Sequence, residues 1–279
     1  MSELRDKVVV IAGCGDVGCR VGLGLNRLGA TAIGVRRNIA AVPKGLVSVQ
    51  ADVVSGEGLD KLPSADAVVY CVAADARTEP AYRAAYVDGP RRLREFFGAT
   101  VPFLFVSSTS VFGQVDGQWI DEGTPAAPST FTGKLILEGE RGLEILGWPL
   151  CVVRFGGIYG PGRRRLIDSV KTARPVVADP PQYTNRIHVE DCASVLIHLL
   201  QLRSPDPLYL AVDDEPAPAH VIRDWMADAL GVTPPKREVF TLDALRVGSK
   251  RLSNGRLKRS GYMFQYPTFR EGYGELLGL

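Results

Sequence analysis

The chain has 279 residues, 46% hydrophobic and 23% charged, which suits one large α/β domain with an appendage or two small domains and excludes a mini-protein. A net charge of +2 with dispersed Lys and Arg leaves no nucleic-acid footprint, and no stretch reaches the roughly 20 apolar residues of a membrane span. Five cysteines without disulfide-framework or zinc spacing give no metal site, and an N-terminus leading almost directly into an apolar run implies no signal peptide and a cytoplasmic location.

In chain order, Val8–Ala12 reads as a buried strand followed by Gly13-Cys14-Gly15-Asp16-Val17-Gly18, after which Val17, Val21, Leu25 and Leu28 recur on one face of a helix. Strand, glycine turn and helix N-terminus together form an anion-binding unit. Gly13 permits the tight turn, Gly15 lets a pyrophosphate approach the backbone, Gly18 lets the helix pack on the sheet, and the free amides of these glycines with the helix dipole favour a dinucleotide diphosphate, Asp16 and Val17 between them belonging to the same cofactor set. Cys14 and Cys19 flank this loop, either as redox-sensitive thiols or as small buried hydrophobes. Thr31–Val35 is the next strand, and at its end, where an NAD site places an acid for the ribose 2′-hydroxyl, stand Arg36 and Arg37 with no acidic residue to repel a phosphate. Guanidinium forks suit a 2′-phosphate, so NADP(H) is preferred over NAD(H).

Further strands are expected at Val47–Val49 and Ala67–Cys71, and the residues after them, Asp52 with Val53 and Val72 with Ala73, complete the expected cofactor set. A helix over Pro80–Phe97, a strand at Phe103–Ser107, a helix from about Ser129 to Leu146 and a strand at Leu150–Phe155 continue the alternation, which implies right-handed crossovers. The expected fold is a Rossmann-like doubly wound parallel sheet with a small C-terminal substrate-binding lobe. Residues 1–160 form the cofactor-binding domain, and 161–279 form the lobe, interleaved with the last elements of the main sheet. Beyond Gly160 prolines break the pattern, leaving a helix at Asp191–Leu202, a strand at Leu208–Val212 and a helix at Ala219–Leu230 legible.

Val106-Ser-Ser-Thr-Ser-Val-Phe-Gly113, Asp121-Glu-Gly-Thr-Pro125, Arg154-Phe-Gly-Gly-Ile-Tyr-Gly-Pro-Gly162, Asn185-Arg-Ile-His-Val-Glu-Asp-Cys-Ala193, Tyr209-Leu-Ala-Val-Asp-Asp-Glu-Pro216 and Lys250-Arg-Leu-Ser-Asn254 succeed one another to Ser260-Gly-Tyr262. This series resembles the extended short-chain dehydrogenases/reductases, the NAD-dependent epimerase/dehydratase enzymes, over essentially the whole chain. The resemblance implies a cytoplasmic enzyme with a small-molecule substrate, and a homodimer through the helices covering the sheet.

The family's proton relay uses a Tyr and a Lys at i and i+4 of one helix, an upstream Ser or Thr, and an Asn. The neighbouring ammonium lowers the phenol's pKa and fits it for acid/base work near neutrality. By resemblance Ser108 and Lys134 occupy the serine and lysine positions, but Thr130 stands for the tyrosine, Tyr86 for the Asn, and Phe112 for a tyrosine of the serine motif. Phe131, one position away from Thr130, has no hydroxyl. Lys134 holds the nicotinamide ribose, acts as a desolvated base, or is a surface lysine; Tyr86, Tyr159 and Tyr183 are candidate relocated phenols. Thr109, Ser110, Tyr159, Arg163, Arg186 and His188 form the expected substrate set, and the arginines suit an anion. The reading is a NADP(H)-binding oxidoreductase or epimerase acting on a small anionic substrate. The alternative is a cofactor-binding redox sensor or scaffold that has lost catalysis.

Overall fold

The computed structural model describes residues 3–239 and 248–279. Val8–Ala12 forms strand β1, and its last four residues are fully buried, the pattern of a parallel strand covered on both faces. It lies inside a seven-stranded sheet with β2 (Thr31–Arg36), β3 (Val47–Gln50), β4 (Ala67–Tyr70), β5 (Phe103–Ser108) and the strands Leu150–Phe155 and Leu208–Ala211. The order is Leu208–Ala211, Leu150–Phe155, β5, β4, β1, β2, β3, and the pairings β1–β2, β2–β3, β1–β4 and β4–β5 are parallel. Strand order reverses at β1, which has β2 on one side and β4 on the other. That reversal opens a crevice at the carboxyl ends of β1 and β4, where sheets of this class bind ligands.

The crossovers include α1 (Asp16–Arg27), α2 (Glu79–Arg83), α3 (Gly89–Phe97) and α4 (Phe131–Glu144). The expected helix over 80–97 is present as α2 and α3 joined by a π-helical turn at Ala84–Asp88, where Tyr70 Oη donates to the Ala85 carbonyl at 2.7 Å. A widened turn displaces carbonyls from the i−4 ladder, and the buried phenol satisfies one of them. Val10, Val68, Leu93, Phe103 and Phe105 anchor the core under these helices. Burying each such side chain contributes about 1.5–3 kcal/mol, which is why the sheet strands were readable as unbroken apolar runs.

Two compact units emerge, each built from three chain segments. The first comprises Met1–Val111, Thr130–Arg154 and Ala193–Tyr209; the second comprises Phe112–Ser129, Phe155–Cys192 and Leu210–Leu279. The chain thus leaves the first unit at residue 112 and re-enters it at residue 130, so the units do not follow a single division after residue 160. The second unit has its own core, in which Tyr159, Ile167, Ile222, Met226, Phe269 and Tyr273 pack among α5 (Arg165–Lys171), α7 (Ala219–Leu230) and α9 (Phe269–Leu277). Short strand pairs support it, including Gly157–Tyr159 parallel to Arg186–His188 and Trp119–Ile120 parallel to Arg251–Leu252. Among the described residues no helix is long and apolar enough to cross a membrane, and no cluster of His, Cys, Asp or Glu is arranged to hold a metal ion.

Candidate functional site

In the first unit, Gly13 sits at φ +83°, and a Cβ there would lie 2.6 Å from the Val72 amide nitrogen, so only glycine makes this turn beside the loop after β4. A Cβ on Gly18 would lie 2.6 Å from the Gly13 carbonyl and 3.2 Å from Ile11 Cγ2, so its absence lets α1 close on β1. Gly15 differs: a Cβ there would meet nothing nearer than the Gly13 carbonyl at 3.9 Å, so this side of the loop is open. Packing forces the first and third glycines while the second borders space. That is the cradle a diphosphate fits.

The amide donors are not the ones expected. Gly13 and Cys14 N–H both donate to the Val35 carbonyl, at 3.1 and 3.2 Å, and Gly15 N–H donates to Gly13 at 2.7 Å, because the turn needs these bonds to fold back onto β2. The i−4 ladder of α1 begins with Cys19 donating to Gly15, so the amides of Asp16, Val17 and Gly18 lie ahead of that ladder in the first turn. Asp16 brings a negative charge to this end, and Arg20 pairs with it at 3.0 Å.

The arginine pair divides its work. Arg36 Nη1 donates to the Cys14 carbonyl at 3.1 Å, which lays this guanidinium against the glycine loop. Arg37 Nη2 donates to Asp75 Oδ1 at 2.7 Å, so an acidic residue does reach this corner, arriving from the loop after β4 rather than from the end of β2. Arg37 holds the Asp75 carboxyl below the usual carboxylate range. Both partners are exposed, and such a pair contributes about 0–1 kcal/mol, so a phosphate can compete for Arg37. Asp52 Oδ1 accepts from the amides of Val54 (2.8 Å) and Ser55 (3.4 Å) and fixes the turn after β3. Val53 lies in the main core, Val72 packs against it, and Ala73 is exposed.

Ser108 ends β5, and its Oγ accepts from Ser110 N–H at 3.2 Å, opening the turn Thr109–Val111. Behind it Ser107 Oγ donates to Glu140, whose carboxylate also receives Arg154 Nε at 3.0 Å and Nη2 at 2.6 Å. This buried, fully paired trio pins the end of β5 to α4. Thr130 is the N-cap of α4 rather than a residue on its face: its backbone is extended (φ −95°, ψ 152°), and its Oγ1 accepts from Gly133 N–H at 3.1 Å and pairs with Thr132 Oγ1 at 3.0 Å. Capping occupies its hydroxyl. Lys134, in the first turn of α4, is exposed, which removes the desolvation a lysine base would need. Tyr86 lies in the π-helical turn, stacked on Tyr82 with ring centroids 5.4 Å apart, and burial pushes its phenol up to about 12. Phe131 meets Tyr82 edge-on at 5.8 Å.

The second unit holds Tyr159, Arg163, Arg186 and His188, whereas Thr109 and Ser110 belong to the first. The pairing of Gly157–Tyr159 with Arg186–His188 sets Tyr159 opposite His188. The buried His188 ring lies between Tyr159 (5.2 Å) and Tyr266 (3.9 Å), and its Nδ1 accepts from Glu190 N–H at 3.4 Å at the start of α6 (Val189–Gln201). Tyr159 stacks on Tyr273 at 4.3 Å, and burial raises its phenol well above the ordinary range. Arg186 donates to Thr184 Oγ1, Arg163 lies exposed in the turn after Gly160, and Tyr183 stacks against the Arg251 guanidinium at 4.8 Å.

Asp213 and Lys250 are among the buried ionisable groups to which the sequence reading gave no role. Asp213 is 2% exposed; its Oδ1 accepts from Glu215 N–H at 3.3 Å, its Oδ2 has no partner, and burial pushes it up to about 8 despite the charge of Arg186. Lys250, 8% exposed, donates to the Phe112 carbonyl at 2.7 Å, and burial lowers it to about 8. The doubled acid Asp213-Asp214 directly after the apolar run Leu208–Val212 was the available signal: Asp214 is exposed and meets Lys258 and Asn254, while Asp213 is buried.

No family model and no curated protein matches the chain. Among solved structures, a Methylobacillus flagellatus protein assigned to the NAD-dependent epimerase/dehydratases is 35% identical with a TM-score of 0.82, over 98% of both chains. A functionally unknown conserved protein from Silicibacter pomeroyi is 26% identical with a TM-score of 0.76, over 98% of both. The dTDP-glucose 4,6-dehydratase of Bacillus anthracis, solved in complex with NAD, shares the fold at 17% identity and a TM-score of 0.79, over 98% of this chain and 96% of that one.

Proposed function

The chain belongs to the extended short-chain dehydrogenase/reductase superfamily, in its NAD-dependent epimerase/dehydratase branch, and from that premise we propose a NADP(H)-binding oxidoreductase or epimerase acting on a small anionic substrate. The observation that carries the cofactor preference is Arg36, laid against the glycine loop at the end of β2 where an NAD site would hold an acid. Gly15 leaves room for the diphosphate beside the turn that Gly13 makes, the first turn of α1 at Asp16, Val17 and Gly18 binds it, and Arg36 with Arg37 takes the 2′-phosphate. Asp52, Val53, Val72 and Ala73 border the rest of the crevice. When bound, the nicotinamide supplies hydride acceptance and return.

The Ser108 hydroxyl, at the carboxyl end of β5, donates to a substrate oxygen and polarises it; the exposed Lys134 ammonium binds the nicotinamide ribose hydroxyls. Thr109 and Ser110, next to Ser108, are the substrate candidates of the first unit; Tyr159, Arg163, Arg186 and His188 are the candidates of the second unit taken by itself, where the guanidinium groups suit an anion. A cytoplasmic homodimer completes it. One observation favours a second reading, a NADP(H)-binding sensor or scaffold without catalysis: the tyrosine position is a helix cap whose hydroxyl is occupied.

Titration with NADPH and NADH tests the proposal. NADPH is expected to bind at least about tenfold more tightly, about 1.4 kcal/mol, with the difference lost in Arg36→Ala plus Arg37→Ala. Equal affinities in the native protein would remove the 2′-phosphate pocket.

A further inference from the structure

The glycine loop carries two thiols that the cofactor reading leaves unused. Cys14 Sγ and Cys19 Sγ are 3.2 Å apart, and the Cys19 thiol also donates to the Cys14 carbonyl at 3.3 Å. Cys14 is fully buried, with its sulfur packed where a side chain on Gly34 would stand: a Cβ there would lie 2.8 Å away. Cys19, in the first turn of α1, is partly exposed. The pair therefore has one sulfur accessible to an oxidant and a second already in van der Waals contact behind it.

We propose that Cys14 and Cys19 form a reversible intramolecular disulfide under peroxide, and that this crosslink weakens dinucleotide binding at the glycine loop. The second half rests on the cofactor reading above. Peroxide converts the Cys19 thiol to a sulfenic acid with release of one water. The Cys14 thiol then displaces the sulfenic hydroxyl, releasing a second water and leaving the S–S bond, so the two thiols give up two electrons and two protons to the peroxide. Cys14 is fully buried and Cys19 is not, so peroxide meets Cys19 first, and the contact between the two sulfurs leaves Cys14 as the resolving thiol.

Bond formation requires the sulfurs to close from 3.2 Å to about 2.05 Å. That movement draws Cys14 toward α1 and removes the S–H donor from its carbonyl, the same carbonyl that accepts from Arg36 Nη1. Gly15 follows Cys14 directly and caps α1, so the displacement reaches the amides of residues 16–18 and the Arg36 guanidinium together. Cys71, whose thiol burial pushes up to about 12, lies within electrostatic reach of both sulfurs and is the competing partner.

The full-length protein is treated with hydrogen peroxide, free thiols are blocked, and the disulfide is located by peptide mass mapping while NADPH affinity is followed by fluorescence. The expected result is a Cys14–Cys19 crosslink, NADPH binding weakened about fivefold or more, and full recovery with dithiothreitol. Cys19→Ser is expected to bind NADPH as the reduced protein does and to ignore peroxide. Sulfinic acid without a crosslink, a Cys19–Cys71 bond, or a Cys14–Cys19 bond with unchanged affinity would each overturn the proposal. Failure of the reduced protein to bind NADPH would overturn the cofactor reading and the functional half of the switch, while the peptide map would still decide the crosslink.

Discussion

Thr130 and Lys134 stand four residues apart and do different work, Thr130 as the extended N-cap of α4 and Lys134 as an exposed side chain in its first turn. A threonine hydroxyl is far too weak an acid to replace a phenol, and here it also caps α4 through Gly133 N–H. Thr130→Ala should therefore lower stability by about 1 kcal/mol, read as a drop in Tm, while changing any turnover by less than about tenfold. Lys134→Ala should do the reverse, leaving stability nearly unchanged because the side chain is exposed and, if the proposed ribose contact holds, weakening cofactor binding. Thr130→Tyr restores an i, i+4 Tyr–Lys pair in outline but sacrifices the cap, so gained turnover with a lowered Tm is the expected pairing. Abolished turnover in Thr130→Ala with NADPH binding intact would show that the threonine works in the reaction.

At the scale of elements, the β1–loop–α1 unit separates what packing demands from what a ligand demands. Gly13 and Gly18 are fixed by contacts at 2.6 Å, whereas the open side of Gly15 has no structural reason to be bare. Gly15→Val is thus expected to leave the melting curve close to that of the native protein and to abolish NADPH binding, measured by calorimetry. Retained binding would detach this loop from the cofactor. The helix over 79–97 carries a lesson of the same size: its apolar spacing was legible, but the π-helical turn at Ala84–Asp88 was not, because it depends on the buried Tyr70 hydroxyl waiting under the Ala85 carbonyl.

For the molecule as a whole, Asp213 couples stability to pH. Its carboxyl is raised from an ordinary 3.8 to about 8, so between those values the folded chain keeps a proton that the unfolded chain releases, and stability falls as pH rises through this window. Asp213→Asn should match the native protein in Tm near pH 4, exceed it increasingly up to about pH 8 and level off above that; a constant offset from pH 4 to pH 8 would contradict a protonated Asp213. The sequence by itself determined the parallel sheet, the glycine loop, the arginines after β2 and the threonine at position 130, since each is written in local apolar runs, turn chemistry or the identity of one side chain. Tertiary structure decided the rest. Only folding brings Asp75 from the β4 loop onto Arg37, turns the first loop amides back to Val35, buries Asp213 and Lys250 and sends residues 112–129 into the second unit. Burial and partnership between distant residues arise from chain crossovers, and no window of sequence contains both sides of such a contact.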